Sequence, residues 1–288
     1  MSPLCGAIGA WSSLLRYSSR SEAAGHDSVR GFARLTCITR FHLLSLVCSS
    51  LGTLAELLTS TPAFAYRPFD STDAGVADYG ALEFEIGSVG YLHMAKRSSL
   101  QPIQIVNLGF LPDWELVLQA AEPTFGSDGL GRAEFRLANT SLTAKYVLRD
   151  GCLQGKSGPS LASELGVLLP TLKDEAGTGA TLSLLASERA AIGAVHVNLV
   201  ASRTRASNPD VFASTILEGP ASWRVRPVGE LYYEREFRGD RSESALLGAI
   251  AELSRWYAVD SAVRVASISG GRVFELRAGF TWVLPVFH

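Results

Sequence analysis

The run from Val273 to Val286 constrains the fold more than any other stretch. Phe274, Leu276, Ala278, Phe280, Trp282 and Leu284 fall on every second position, and Glu275, Arg277, Gly279, Thr281 and Val283 fall between them. A period of two is that of a β-strand, whose alternate side chains point to opposite faces. The first row is too bulky and continuous to face water. The second carries opposite charges and does not suit a dry core. A strand greasy on one face, wet on the other and aromatic near its end is what an outer-membrane β-barrel requires.

The same alternation recurs upstream. Leu82, Phe84 and Ile86 alternate with Glu83 and Glu85. Trp114, Leu116 and Leu118 alternate with Glu115 and Gln119. Leu142, Ala144, Tyr146 and Leu148 alternate with Thr143, Lys145 and Arg149. Val195, Val197 and Leu199 alternate with His196 and Asn198. Val225, Pro227, Gly229, Leu231 and Tyr233 alternate with Arg224, Arg226, Glu230 and Glu234, and Val259, Val263 and Val265 with Asp260 and Arg264. Further strands are expected at 103–108, 161–172, 181–188 and 211–217. The segment 245–253 is a strand of blurred phase. The total is about twelve antiparallel strands with no convincing amphipathic helix, so the fold class is all-β. An even count puts both ends on one side. Turns at 110–113, 150–159, 189–193, 219–222 and 255–258 lie at that end. Loops near 96–101, 124–132, 171–179, 203–210, 237–242 and 268–272 lie at the other.

Three domains are expected: an unstructured extension over 1–29, a signal peptide over 30–65, and a barrel over 66–288. Arg30, Arg34 and Arg40 make a basic region, 41–55 an apolar one, and Ala63-Phe64-Ala65 a cleavage site after Ala65. The apolar stretch is short for a membrane-spanning helix of about 20 residues. The chain has 288 residues, of which 47% are hydrophobic, and a formal net charge of −2, which leaves no footprint for nucleic acid. Only Cys152 lies beyond the N-terminal region, so no disulfide framework or zinc pair is expected there, and Cys152 reads as an incidental loop thiol.

Strands alone fit either a soluble sandwich or a membrane barrel. The signal, the even count and the aromatics near strand ends (Trp114, Tyr146, Trp223, Tyr233, Trp256, Tyr257, Trp282) favour the barrel, because such rings suit membrane interfaces. The charged rows then line a lumen: Glu115, Lys145, Asn198, Arg224, Arg226, Glu230, Asp260, Arg264, Glu275 and Arg277. Twelve strands lie between a filled barrel and an open channel, so the expected passage is narrow or partly plugged.

Other chemistry finds little support. Gly151 to Ser157 departs from a phosphate-binding loop in glycine spacing and lacks a following helix. Gly126 to Gly131 lacks the oxygen ligands for calcium. His196, Asn198 and Ser202 share a strand face, which suits a phospholipase-like site or, more simply, a polar wall. Glu83 and Glu85 could act as an acid–base pair or line a hydrated wall or rim. No catalytic residue, metal ligand or cofactor is assigned.

Several stretches resemble the phenol-degradation (MetA-pathway-like) outer-membrane transporters of Gram-negative bacteria. They are Ser141 to Val147, Gly166 to Pro170, Val195 to Leu199, Val228 to Tyr232 and Arg277 to Trp282. The resemblance runs from about Tyr79 to the end. It implies a single-chain barrel in the outer membrane that passes small solutes, aromatic or hydrophobic ones among them, with Lys145, Asn198, Glu230 and Arg277 in the lumen. Its partners would be outer-membrane lipid, a small-molecule solute, and the barrel-assembly machinery engaging the C-terminal strand. That strand continues to His288, where such chains end on an aromatic. The alternatives are a non-conducting barrel, enzymatic or structural, and a secreted β-protein that binds a small ligand.

Overall fold

Alternation of the kind just described builds almost the whole of the computed structural model, which describes residues 68–94, 97–100, 103–119, 122–127, 133–171 and 176–286. The expected extension and signal, with the cleavage residues Ala63 and Ala65, lie outside the described residues. Fifteen strand segments follow one another: β1 (Ala81–Met94), β2 (Arg97–Leu100), β3 (Gln104–Leu111), β4 (Trp114–Gln119), β5 (Glu122–Ser127), β6 (Ala133–Ala138), β7 (Ser141–Arg149), β8 (Ser160–Leu168), β9 (Gly179–Ala190), β10 (Gly193–Arg203), β11 (Pro209–Glu218), β12 (Val225–Glu236), β13 (Arg241–Ser254), β14 (Tyr257–Ile268) and β15 (Gly271–Pro285).

They make twelve staves. β1 pairs with β3 through Leu82 to Ile86 and with β2 through Tyr91 to Met94, so β2 and β3 are two parts of one stave. β5 continues β4, and β6 continues β7, by the same logic. Each remaining strand pairs antiparallel with the next, and β15 closes onto β1 from Ala81↔Pro285 to Met94↔Val273. Closure removes the unpaired edges, which a strand crossing hydrocarbon cannot tolerate. Both β1 and β15 meet the same end of the barrel, called here the terminal end.

The two faces of the wall are sorted inside out. Glu230 is 3% exposed and its neighbour Leu231 is 64% exposed; Lys145 is 3% exposed and Leu148 56%. Leu165, Leu184, Leu199 and Leu247 join the exposed belt. Aromatic rings gather toward the terminal end of that belt: Trp114 lies 4.6 Å from Tyr146, and Tyr257 stacks on Trp282 at 6.1 Å. A soluble sandwich would place these rows the other way round. Apolar out, charged in, with no edge left, is the arrangement of an outer-membrane barrel, and the fold is that of a transmembrane β-barrel.

The terminal-end turns are where the sequence places them, including the two-residue turn at Pro112–Asp113, whose Asp113 takes φ 63°. The long turn at 150–159 winds into a single 3-10 turn, Cys152–Gln154. Leu153 N–H donates to Ser160 Oγ at 2.9 Å, and the Leu153 side chain packs against Ala74, Ala162 and Leu185. Cys152 is half-buried, with Sγ 3.3 Å from the Ser187 carbonyl, so it is part of a folded closure rather than an incidental loop thiol. At the other end the expected loops near 96–101 and 124–132 are shorter than anticipated, because β2, β5 and β6 extend the staves there.

Candidate functional site

Twelve staves about 4.8 Å apart and tilted by about 40° enclose a cylinder roughly 24 Å across between backbones. Side chains reach in from every wall. The remaining space is crossed by the chain itself. Residues 68–80, ahead of β1, form a strap across the lumen that the strand pattern does not foreshadow.

The strap visits the staves in turn. Its Pro68 carbonyl accepts from Arg277 Nη1 at 2.7 Å, and the Asp70 carboxylate meets Arg277 Nη2 at 2.8 Å and Arg264 Nη1 at 3.7 Å, on β15 and β14. On β12, Glu230 accepts the backbone N–H groups of Asp70 (2.9 Å) and Ser71 (3.1 Å) and the Ser71 hydroxyl. Ser214 Oγ on β11 is 2.7 Å from Ser71 Oγ. Asn198 on β10 clamps Thr72 twice, accepting from its N–H at 3.1 Å and donating to its carbonyl at 2.7 Å. Ser187 on β9 accepts Ala74 N–H at 2.9 Å, and Lys145 on β7 reaches Thr72 Oγ1 at 3.2 Å and Asp73 at 3.8 Å. Glu115 on β4 accepts Ala77 N–H. Gly80 then turns into β1 with φ 80°, its N–H on the Gly109 carbonyl of β3 at 2.8 Å. Buried polar groups need partners, and each of these bonds other than the backbone pair Gly80–Gly109 gives one to a wall side chain and a strap group together.

Apolar contacts add an anchor. Phe69 is buried among Ile216, Val228, Leu246, Ile250, Ala258 and Ala262, all in the inner row of β11–β14. The blurred phase expected over 245–253 has its cause here. Leu246 and Ile250 face inward to meet Phe69, while Leu247 is 74% exposed on the outer face.

Of the residues expected to line the lumen, Glu115, Lys145, Asn198, Arg226, Glu230, Asp260, Arg264, Glu275 and Arg277 are buried on the inner row. Arg224 is a correction. It sits in the turn before β12, is exposed, and points its Nε at the Glu252 carbonyl, because pairing with β13 begins only at Val225. The buried residues form two groups. Glu275 binds Arg264 Nε at 2.6 Å and Arg277 Nε at 3.0 Å, and Arg226 contacts Glu252 and lies 3.5 Å from Glu218. On the staves that follow β15 around the closure, β1, β3 and β4, the residues Glu83, Glu85, Glu115 and Asn107 are buried together, with Asn107 donating to Glu85 at 2.8 Å. Glu83 and Glu85 thus face the interior rather than an exposed rim.

His196 and Asn198 share the inner face, but Ser202 lies six residues from His196 and bonds Asp210 at 3.0 Å. At about 3.3 Å per residue that separates it from His196 by roughly 20 Å. The hydroxyl that meets His196 Nδ1, at 2.8 Å, is Ser187, its register partner on β9. Ser187 Oγ also accepts Ala74 N–H, and both side chains lie beneath the strap. No group of three or more His, Cys, Asp or Glu side chains suited to a metal ion occurs among the described residues.

No protein-family model matches the chain, and no curated protein matches it in sequence. Among solved structures, the KdgM porin is similar with TM-score 0.46 and 11% identity, covering 72% of this chain and 99% of that one. An anion-selective porin from Comamonas acidovorans is similar with TM-score 0.37 and 9% identity, over 70% of this chain and 98% of that one. The translocator domain of the autotransporter NalP from Neisseria meningitidis is similar with TM-score 0.36 and 13% identity, over 70% and 86%.

Proposed function

We propose that this barrel passes small solutes across the outer membrane by diffusion along its charged lumen, and that the 68–80 strap holds the resting lumen shut. The observation that carries the reading is the strap's mode of attachment. It is held mainly by hydrogen bonds and ion pairs to wall side chains. Water can replace such bonds, and each is worth only about 0.5–1.5 kcal/mol net, somewhat more where charged. A strap so held can leave the lumen without unfolding the wall, whose stability rests on closed strand pairing.

Groups of opposite charge on adjoining staves would orient a polar solute as it moves. Lipid covers the apolar belt, and the C-terminal strand β15, which closes the barrel, is the segment for the assembly machinery to engage. The resemblance to phenol-degradation transporters supports small aromatic solutes as cargo. In this reading the barrel does no covalent chemistry, and Ser187 and His196 serve as a mount for Ala74.

The test is conductance in planar bilayers. Wild-type protein is expected to show low or intermittent current in potassium chloride, and a variant lacking residues 68–75 a steady, larger one. Equal and negligible current from both, with heat-modifiable gel mobility intact, would refute transport.

A further inference from the structure

The largest apolar patch on the inner wall among the described residues is the one around Phe69. A polar lumen has no need of inward-facing Ile216, Val228, Leu246 and Ile250. Their burial requires an apolar occupant, since exposing them to lumen water forfeits about 25 cal/mol for each Å². Ala258 and Ala262 are the small members of the patch, and Gly248, between Leu246 and Ile250 on the same row, adds no side chain at all. A flat ring fits against such a surface.

Strand register places two arginines at the border of this patch. Arg264 is paired across the sheet with Leu246, and Arg277 with Ala262. Both bind the single carboxylate of Glu275. Two cations on one anion leave a positive charge to be met, and Asp70 meets it. Glu230, paired with Leu246 from the other side, needs donors and takes them from the N–H groups of Asp70 and Ser71 and the Ser71 hydroxyl. The wall therefore offers three adjoining features: an apolar surface, a cationic pair and a carboxylate acceptor. Phe69, Asp70 and Ser71 answer them in order with a ring, a carboxylate and hydrogen-bond donors.

We infer that Phe69–Asp70–Ser71 occupies a solute subsite, and that the solute it stands in for is an aromatic carboxylic acid bearing a hydroxyl donor. Binding of that acid displaces the strap and so opens the path; this rests on the transport reading above. The cation pair excludes neutral aromatics from tight binding, and the apolar surface excludes small aliphatic acids. The tethered occupant competes at an effective concentration in the millimolar range or above. Solute affinity is accordingly masked in the resting protein and unmasked when the strap is weakened, in proportion to the fraction of molecules with a vacant site.

The test uses the full-length chain in detergent and equilibrium dialysis with three probes. 3-Phenyllactate carries ring, hydroxyl and carboxylate; 3-phenyl-1-propanol lacks the carboxylate; lactate lacks the ring. The double substitution Phe69→Ala with Asp70→Asn touches only the strap. It is expected to tighten 3-phenyllactate binding by about tenfold or more over wild type. Neither of the other probes should come within about tenfold of it. Adding Arg277→Gln, or Arg264→Gln as an independent check, should abolish the preference for the acid over the alcohol. Heat-modifiable mobility verifies that each variant is folded. If the strap variant binds the three probes alike, or binds none, the patch and arginines are an anchor for the strap and the inference is overturned. Dialysis needs no current, so a barrel that fails to conduct yet prefers 3-phenyllactate would overturn transport and keep the subsite.

Discussion

Gly109 is the residue on which the strap rests most directly. A Cβ there would stand 2.1 Å from the Asp78 carbonyl oxygen and 2.5 Å from that of Ala77. Both are backbone atoms, which cannot turn aside as a side chain can. Gly109→Ala therefore forces the strap off β3 at a cost of about 1–3 kcal/mol, typical of overpacking. Because the clash is with the strap rather than a neighbouring stave, the wall should persist. The expected result in bilayers is more frequent opening than wild type, with unchanged heat-modifiable mobility; an identical opening frequency would mean the strap does not gate. Arg277 makes a second residue-level case. Arg277→Glu would set three carboxylates, those of positions 70, 275 and 277, against each other where two arginines now share two acids. Reversal potentials measured across a salt gradient should shift toward cation preference, with Arg226→Glu shifting the same way. At this scale the sequence was legible wherever period two ran clean. It placed Glu275, Arg277 and Asn198 on a charged or polar row, and the structure buries that row inward. It could not distinguish Leu246 from Leu247, adjacent leucines that are 1% and 74% exposed. The reason Leu246 turns inward is Phe69, far away in sequence.

Among elements, the strap is the one that strand patterning could not reveal. Its residues, Pro68 to Gly80, show no period, and nearly every bond it makes is to a residue tens of positions away or more. Two signals were nonetheless present: a phenylalanine, Phe69, at the head of a largely polar segment, and inner-row apolar residues at Ile216, Val228 and Ile250 with no evident use. The strand segments β2, β5 and β6 were missed for a different reason. Glu122 to Ser127 contains Pro123 and Gly126, which read as turn residues, yet it pairs with β6 from Glu122↔Ala138 to Ser127↔Ala133. Hairpin register set lower in the barrel carries the pairing through a sequence that would not choose it alone. The strap's dependence on wall side chains yields a prediction at the same scale. Asn198→Ala removes both clamps on Thr72, and Glu230→Ala removes three bonds from Asp70 and Ser71. Combined, they should make the strap's peptide bonds cleavable by an added protease in detergent while β1 to β15 stay protected. Protection of the strap equal to wild type would mean that Phe69 and the Gly109 contact hold it unaided.

For the whole molecule, everything depends on which face of the wall meets water. Leu247 lies near the middle of β13 and is 74% exposed. On a water-soluble barrel an exposed leucine can become arginine at little cost, usually within about 0.5 kcal/mol. On a barrel in lipid the same change puts a charge near the bilayer midplane, at about 2–4 kcal/mol. Leu253, also exposed but at the terminal end of the same strand, is the internal control, since the cost falls to roughly 0–1 kcal/mol near the interface. Reversible urea unfolding in phospholipid vesicles should show Leu247→Arg destabilised by several times more than Leu253→Arg. Depth is the main difference, because both residues are exposed on one strand and neither touches the strap, Leu253 standing at an irregularity in the pairing with β14. Equal, small effects at the two positions would mean that the exposed leucines face water, and the inside-out sorting of charge, the closed seam between β1 and β15 and the crossed lumen would then belong to a soluble barrel.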